Sequence, residues 1–459
     1  MLKEIGVENF KSWKVIKKMR LAPITGLFGA NSSGKSSVLQ LLLMLKQTVE
    51  SPDRAQALIF GDDRTPVNLG SFRDVVFGHT TPSQVSWQVA WNFPKPFKIV
   101  DPTAPKKALF EGQEMRFEAK VSEGTAGRLV VDHMAYEFAK FRFVMKRKPN
   151  TESKYELKAD GEHGGYRLVR TQGRPWDLPM PVKCYGFPDQ VKAYYQNAGF
   201  VGDLQLAFES LFGQVYYLGP LREYPRRQYT WAGAEPADMG QRGERVVDAL
   251  LAAREKRLTI PLGRGRKTPS LEQYVAMWLK KLGLIHDFSV DAIAKESNLY
   301  RVRVQRSPAS ASVPITDVGF GVSQILPVLV LCYYVPPGAT ILLEQPEIHL
   351  HPSVQAGLAD VFIDAWKRRK VQIIFESHSE HLLRRLQRRI AEAGLDGIRP
   401  EDTALYFCRL EDGWSELEQL QVDMLGRITN WPRDFFGNEF DEMAAITRAG
   451  MKRLEKQQR

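Results

Sequence analysis

A short run of glycine, lysine and serine near the start of the chain carries the clearest chemistry in the sequence. Residues 29–36 read Gly-Ala-Asn-Ser-Ser-Gly-Lys-Ser, which satisfies the phosphate-loop pattern G-x-x-x-x-G-K-[ST]. Glycines let successive backbone N–H groups surround a phosphate, and the N-terminus of the following helix adds its positive dipole end. The lysine offers an ammonium to the β- and γ-phosphates, and the serine hydroxyl ligates Mg²⁺. The sequence therefore predicts a site for ATP and Mg²⁺, with contacts from Gly29, Asn31, Ser32, Ser33, Gly34, Lys35, Ser36 and Ser37.

Four stretches of the chain resemble the motifs of one ATPase group. They are "IGVENFKSW" with "APITGLFGANSSGKSS" near the start, and later "DVGFGVSQILP", "TILLEQPEIHLHP" and "IIFESHSEHLL". Together they resemble the ABC-type ATPase heads of the SMC, RecF and OLD-like group. Within that group the chain is similar to prokaryotic ATPases of the AAA family linked to anti-phage defence, such as the ATPase subunits of Septu- or PARIS-like systems. The resemblance covers residues 1–80 and 215–430 approximately, and the segment between them carries none of the motifs.

The stretch "ILLEQPE" corresponds to the acidic strand of such ATPases. An apolar strand is predicted to end in Glu344, whose carboxylate would hold Mg²⁺ together with Ser36. ABC-type relatives usually place a catalytic glutamate next, but this chain has Gln345, with Glu347 two residues further on. Because a glutamine can position water but cannot accept its proton, we expect slow hydrolysis or a base supplied by Glu347. The alternative is a polar turn that follows a core strand.

The resemblance implies two further groups of nucleotide contacts. "VGFGVSQ" resembles a divergent ABC signature, so Gly319, Gly321 and Ser323 would reach the γ-phosphate bound by a partner chain. His378 corresponds to the switch histidine that contacts the γ-phosphate, although a lone histidine after a strand is more often structural. The catalytic candidates are therefore Glu347, Gln345 and His378.

Other polar residues stay ambiguous at this stage. The glutamine that ABC-type heads carry in their Q-loop has no secure counterpart: residues 67–79 lack a glutamine, and Gln84 is a weak candidate. His351 would lie in the loop that crosses the dimer interface. "YLGPLREYPRRQY" concentrates Arg222, Arg226 and Arg227, which suits phosphate, nucleic acid or an acidic partner, or else intramolecular salt bridges.

Composition narrows the class of protein. The 459 residues are 43% hydrophobic and 25% charged, as expected of a globular protein, and no apolar run reaches the ~18 residues of a membrane span. Three separated cysteines argue against a disulfide framework or zinc site and suit the cytoplasm. The net charge of +11 favours polyanionic partners such as DNA or RNA. Basic clusters at 254–267, 367–370 and 384–389 could equally be solvated faces or protein contacts.

The strands and helices predicted around these motifs indicate an α/β protein. We expect an ABC-type P-loop NTPase head, a mixed sheet flanked by helices, with an inserted β-rich region and a helical signature lobe. The predicted divisions are an N-terminal ATPase part with the phosphate loop (1–84), a β-rich, largely antiparallel insertion (85–215) and an arginine-rich helical lobe (216–310). A second ATPase part with the signature, acidic strand and switch histidine (311–400) and a C-terminal strand and helix segment (401–459) complete the chain.

The expected function is that of an ATPase whose heads dimerise or form higher oligomers around ATP. By resemblance it would be the sensor or scaffold subunit of an anti-phage complex that controls a separate nuclease or toxin, because no TOPRIM or HNH pattern is present in the chain. Two alternatives stay open: a RecF-like ATPase that acts on DNA, and a scaffold that binds ATP with negligible hydrolysis.

Overall fold

The computed structural model describes residues 1–79, 83–101, 104–161, 166–173, 177–263, 265, 267–295, 297–392, 394, 397–432, 435 and 439–457. The strands are β1 (Leu2–Phe10), β2 (Trp13–Arg20), β3 (Ile24–Gly29), β4 (Gln84–Asp101), β5 (Ala104–Glu123), β6 (Leu129–Phe138), β7 (Phe141–Arg147), β8 (Tyr155–Gly161), β9 (Val215–Leu218), β10 (Tyr229–Thr230), β11 (Asp287–Ala292), β12 (Leu299–Gln305), β13 (Val313–Pro314), β14 (Thr340–Glu344), β15 (Gln372–Glu376), β16 (Thr403–Glu411) and β17 (Trp414–Gln419). The helices are α1 (Lys35–Glu50), α2 (Phe72–Val75), α3 (Gln190–Tyr194), α4 (Val201–Gly213), α5 (Val246–Glu255), α6 (Leu271–Lys281), α7 (Phe320–Tyr334), α8 (Pro352–Arg369), α9 (Glu380–Glu392) and α10 (Glu439–Gln457).

The central sheet has the strand order β17-β16-β3-β15-β14-β9. Neighbours from β16 to β9 run parallel, and β17 pairs with β16 in the antiparallel sense. Every residue of β3, β14 and β15 is buried, as expected for parallel strands covered on both faces. Because parallel strands end at the same edge, the loops that follow β3, β15, β14 and β9 meet there.

Alternating side chains of the central strands enter two hydrophobic cores. Leu342 and Ile374 belong to the core that contains α1, α4 and the antiparallel strands. Ile341 and Phe375 belong to the other core, which contains α5 to α9. The mixed α/β fold predicted from the sequence is confirmed. Among the helices that the structure describes, none has the length and apolar character needed to cross a bilayer.

A second sheet is wholly antiparallel, with the order β2-β1-β4-β5-β6-β7-β8. This sheet joins strands from both sides of the predicted division at residue 84. β4 pairs directly with β1, so the β-rich segment extends a sheet that begins at the N-terminus. The rest of that segment contains α3 and α4, and β9 at its end joins the central sheet. The physical reason is that a strand edge left open by β1 must be paired or covered, which local patterns do not reveal.

The lobe predicted to be helical also contains strands. β12 pairs with β10, β11 and β13 in an antiparallel arrangement. Val290 of β11 and Val304 of β12 share a hydrophobic core with Leu250 of α5 and Val275 of α6. The segment 216–310 is therefore a small mixed α/β unit that leads into α7.

One buried glutamine links the N-terminal strands to the central sheet. The Gln372 side chain is fully buried at the start of β15. Its Nε2 donates to Leu2 O (2.7 Å) and Ala22 O (3.1 Å), while its Oε1 accepts from Leu2 N (3.0 Å) and Thr340 Oγ1 (3.1 Å). The amide nitrogen and the amide oxygen of Gln372 are therefore both hydrogen-bonded to buried groups.

We predict that Gln372→Leu lowers the free energy of unfolding by at least about 3 kcal/mol, because several buried polar groups lose their partners. Urea or thermal unfolding would measure the loss. Gln419→Leu, at an exposed position on β17, is the matched control and should change stability little. Similar losses in both variants would contradict the role assigned to the buried amide.

Candidate functional site

The phosphate-loop sequence forms the connection between β3 and α1. Gly29 and Gly34 have φ values of 137° and 89°, in the region that favours glycine. A Cβ on Gly29 would lie 2.1 Å from Cys408 O, so a larger residue would collide with the backbone of β16. The strand, the loop and the helix N-terminus thus occur in the arrangement that phosphate binding requires.

The turn between β1 and β2 supports this loop from outside. Trp13 Nε1 donates to Gly34 O (3.0 Å), and Ser415 Oγ of β17 donates to Ser12 Oγ (2.7 Å). A Cβ on Gly34 would lie 2.4 Å from Ser415 Oγ and 2.7 Å from Ser12 Oγ. Both sheets therefore contact the loop and restrict its shape.

Lys35 extends back across the loop that precedes it. The ammonium donates to Gly29 O (3.0 Å) and Ala30 O (2.6 Å), and the residue is 4% exposed. Burial lowers the pKa of Lys35, while the carboxylate of Glu376 acts in the opposite direction. The buried cation lies where a phosphate would replace carbonyl oxygens as its hydrogen-bond partners.

Ser36 contacts a carboxylate that the motif analysis missed. Its hydroxyl donates to Glu376 Oε2 (2.6 Å), whereas the sequence paired Ser36 with Glu344. Glu376 ends β15, next to β3 in the sheet, and burial raises its pKa. The signal was present in the sequence, since "VQIIFE" is an apolar strand ending in glutamate, as "TILLE" is.

Glu344 lies at the end of β14, beside Glu376. The two residues are paired in the parallel register of β14 and β15. Tyr217 OH of β9 donates to Glu344 Oε1 (2.9 Å). Burial, with the nearby charge of Glu376, raises the pKa of Glu344 to about 7. Tyr217 is a second contact that was missed, because the neighbouring position of β9 is not visible in the sequence.

Gln345 and Glu347 lie in the turn after β14 but differ in burial and in hydrogen bonding. Gln345 is partly buried with φ 43°, and its N–H donates to Glu376 O (3.1 Å). Glu347 is 6% exposed, and its Oε1 accepts from His378 N (2.7 Å). Burial raises the pKa of Glu347, while hydrogen bonds from the His378 N–H and the Ser377 side chain act in the opposite direction. Glu347 is therefore a buried carboxylate that lies beside the residues following β15.

The two histidines considered in the sequence, His378 and His351, have different environments in the structure. His378 is exposed and follows β15, so its backbone N–H contacts Glu347 while its ring is available. Partial burial and the Lys35 cation lower the pKa of His378. His351 caps α8, because its Nδ1 accepts from Ser353 N (3.3 Å). The structure thus brings His378, but not the His351 ring, into contact with the acidic turn.

The signature-like residues lie at the start of α7. Gly319 is the N-cap position and Gly321 is in the first turn. Ser323 is 7% exposed, and its hydroxyl donates to Phe320 O (2.9 Å). Phe320 itself is exposed and meets the exposed Tyr224 ring edge-on at 5.8 Å. In this structure Gly319 and Phe320, and not Ser323, present the outward surface.

Gln84 lies away from the phosphate loop, and several arginines of the basic clusters form ion pairs within the chain. Gln84 begins β4 and pairs with Ser122 in the antiparallel sheet. In the basic clusters, Arg254 pairs with Glu272, and Arg385 and Arg389 both pair with Asp360. These ion pairs agree with the interpretation of the clusters as solvated faces, and they reduce the positive charge available to a nucleic acid.

The acidic residues suit Mg²⁺ only together with a nucleotide. Among the described residues, no group of three or more His, Cys, Asp and Glu side chains is arranged as a metal-binding cluster. In nucleotide sites Mg²⁺ is normally held by one or two side chains, phosphate oxygens and water. The Ser36 hydroxyl beside the Glu376 carboxylate, with Glu344 at the end of the neighbouring strand, provides that kind of partial coordination.

Two family models match parts of the chain. Residues 300–384 match the family described as "AAA domain, putative AbiEii toxin, Type IV TA system", and residues 398–446 match "Protein of unknown function (DUF3696)". The first match contains the signature-like residues, the acidic strand and His378, but not the phosphate loop. The match covers less than a fifth of the 459 residues, and together with the loop geometry it supports a likeness to P-loop ATPases in the parts of the chain that form this site.

Solved structures give a more distant likeness. An Smc head bound to the C-terminal winged-helix domain of ScpA is 12% identical, with 92% of this chain and 98% of that chain covered and a TM-score of 0.47. An SMC head domain from Thermotoga maritima is 9% identical, with coverages of 92% and 99% and a TM-score of 0.41. An Smc head domain from Pyrococcus furiosus, bound to the C-terminal domain of ScpA, is 10% identical, with coverages of 92% and 96% and a TM-score of 0.46. No curated protein matches the chain significantly.

Proposed function

We propose that this chain binds ATP with Mg²⁺ at the loop between β3 and α1 and hydrolyses it slowly. The observation that carries the proposal is the buried Lys35 ammonium within this loop, beside carboxylates that end two adjacent strands. The loop N–H groups and Lys35 would bind the phosphates, and Ser36 with Glu344 would hold Mg²⁺. Glu376 joins this set through its hydrogen bond to Ser36.

Glu347 is the residue best placed to act as general base. Its carboxylate is buried in the turn after β14, and burial raises its pKa, which makes it a stronger proton acceptor. Gln345 would orient the attacking water through its amide, and His378 would contact the γ-phosphate. Because the glutamine next to the acidic strand cannot take the proton, turnover depends on Glu347 and is slow.

We predict that Lys35→Ala weakens ATP binding at least about 10-fold, since a charge-assisted contact is lost. Glu347→Gln should leave the Kd for ATP within about 3-fold but lower the rate of phosphate release about 100-fold or more. Calorimetry and single-turnover phosphate release would measure these changes. Glu255→Gln, at the exposed end of α5, is the matched control. Phosphate release that is equal in the wild type and in both site variants would not arise at this site and would favour a scaffold that binds ATP with negligible hydrolysis.

We propose further that two or more copies of the chain associate around ATP. The surface at the start of α7, with Gly319 at the helix N-cap and Phe320 exposed, would contact the nucleotide held by a second copy. A ligand that contacts both chains favours the associated state alone and shifts the population toward it. A slowly hydrolysed triphosphate then gives a long-lived complex, which suits a sensor or scaffold.

Sedimentation velocity tests this association. Glu347→Gln with ATP and Mg²⁺ should form dimers or larger species, and adding Gly319→Arg should return it to monomer. A Cβ at Gly319 meets no atom within 4 Å, so the arginine would project from the surface without a clash inside its own chain. Gly213→Arg, also in open space at the end of α4, is the control. A monomer under every nucleotide condition would remove this proposal.

The biological setting that we propose is anti-phage defence, with the ATPase controlling a separate nuclease or toxin. Support comes from the sequence resemblance and from the family that matches residues 300–384, whose description refers to a toxin of a toxin–antitoxin system. The basic clusters, largely occupied by intrachain ion pairs, give no specific support to a DNA repair role.

A plaque assay tests the setting. Cells that carry the gene with its native neighbours should resist phage, and Lys35→Ala should lose that protection because nucleotide no longer binds. Immunoblots would show that both proteins are present at equal levels. Equal protection by the wild type and by Lys35→Ala would remove the defence proposal while leaving the ATP site intact.

A further inference from the structure

Arg222 follows the edge strand of the central sheet at the same edge as the phosphate loop. β9 runs parallel to β14 with Leu218 opposite Leu343, so the chain leaves β9 beside Glu344. The loop that carries Arg222 is fixed by Gly219 N donating to Gln241 O (2.8 Å) and Glu223 N donating to Arg242 O (2.9 Å). The position of Arg222 is therefore set by the backbone on both sides of it.

The guanidinium of Arg222 is buried without a partner. The residue is 5% exposed, and none of its three side-chain nitrogens has a hydrogen-bond partner among the described residues. An arginine has five N–H donors and is almost never fully buried unless it is paired. Leaving such donors unsatisfied destabilises a fold, so their presence at this edge indicates a ligand that supplies acceptors.

The charges around Arg222 connect it to the nucleotide site. Glu347 and Glu344 attract the guanidinium, and burial lowers its pKa to about 10, so it stays charged at neutral pH. Glu347 also attracts the Lys35 ammonium. Its carboxylate is thus a common neighbour of the two buried cations.

Two other arginines of the same loop form ordinary surface ion pairs. Arg226 and Arg227 have side chains that are 62% and 70% exposed, and they pair with Glu223 (3.1 Å) and Asp317 (2.9 Å). Arg222 faces inward, with its donors free. The planar guanidinium fork matches the oxygens of a phosphoryl group, to which it can donate two parallel hydrogen bonds.

We propose that Arg222 binds the terminal phosphate of a nucleoside triphosphate held by the same chain, and so distinguishes the triphosphate from the diphosphate. This inference rests on the proposed ATP site and singles out Arg222 from the three arginines of its loop as a contact of the γ-phosphate. Lys35 and the loop N–H groups contact the phosphates of both nucleotides, whereas Arg222 gains its partner only when the third phosphate is present. The same contact would orient that phosphate toward the Glu347 carboxylate.

Calorimetric titration with ADP and with the non-hydrolysable analogue β,γ-imido-ATP, both with Mg²⁺, tests the assignment. Arg222→Gln should weaken binding of the analogue about 10- to 100-fold, the range of a charge-assisted hydrogen bond, and change ADP binding less than about 3-fold. Arg222→Lys keeps the charge without the fork and should fall between these limits. Arg226→Gln, which removes an exposed arginine of the same loop, should change neither affinity.

The outcomes separate this inference from the proposal beneath it. Wild-type protein that binds neither nucleotide would overturn the ATP site itself. Wild-type protein that binds both, with unchanged analogue binding in Arg222→Gln, would overturn only the role of Arg222. Equal loss of both affinities together with a lower Tm would show that Arg222 merely neutralises Glu344 and Glu347. If Arg222→Gln does not fold, the selectivity of Arg222→Lys for the analogue over ADP decides the question.

Discussion

Buried glutamates around one buried lysine are the constraint on which the site depends. Glu344, Glu347 and Glu376 are each less than 10% exposed. Glu347 and Glu376 act on the Lys35 ammonium, and Glu344 lies opposite Glu376 in the sheet. Burial raises the pKa of each of these carboxyls, and the nearby charge of Glu376 adds to the rise at Glu344 and Glu347. Such a cluster of buried carboxylates is stable only where cations or hydrogen-bond donors compensate the negative charge. A bound divalent metal ion would supply positive charge, and the water molecules on it would supply hydrogen-bond donors.

The parallel arrangement of the central sheet creates this cluster. β3, β15 and β14 are adjacent and parallel, so the loop glycine, Glu376 and Glu344 that end them occur at one edge. β9 adds Tyr217 and, through the loop that follows it, Arg222. Four segments far apart in the chain thus supply one site, and their relative positions depend on buried strand pairing more than on the loops themselves.

Local motifs predicted the parts of the site that lie within a few residues of one another. The phosphate loop could be predicted because its glycines, lysine and serine lie within eight consecutive residues. The end of β14 could be predicted because an apolar run is followed by a glutamate. Glu376 and Tyr217 were missed because their roles depend on which strands are neighbours, and that is decided by long-range packing. The same limit applies to the fold: the α/β class follows from local patterns, but the pairing of β1 with β4 joins segments about 80 residues apart and no local pattern shows it. Arg222 was visible as one of three arginines, yet only its burial distinguishes it from the other two.

The contact between Trp13 and the phosphate loop gives the outer sheet a mechanical connection to the nucleotide. The turn that carries Ser12 and Trp13 joins β1 and β2, and these strands are hydrogen-bonded through β4 to the far end of the seven-stranded sheet at β8. The hydrogen bond from Trp13 Nε1 to Gly34 O therefore couples the position of the seven-stranded sheet to the start of α1. A change in the angle between the two sheets would have to shift or break this contact.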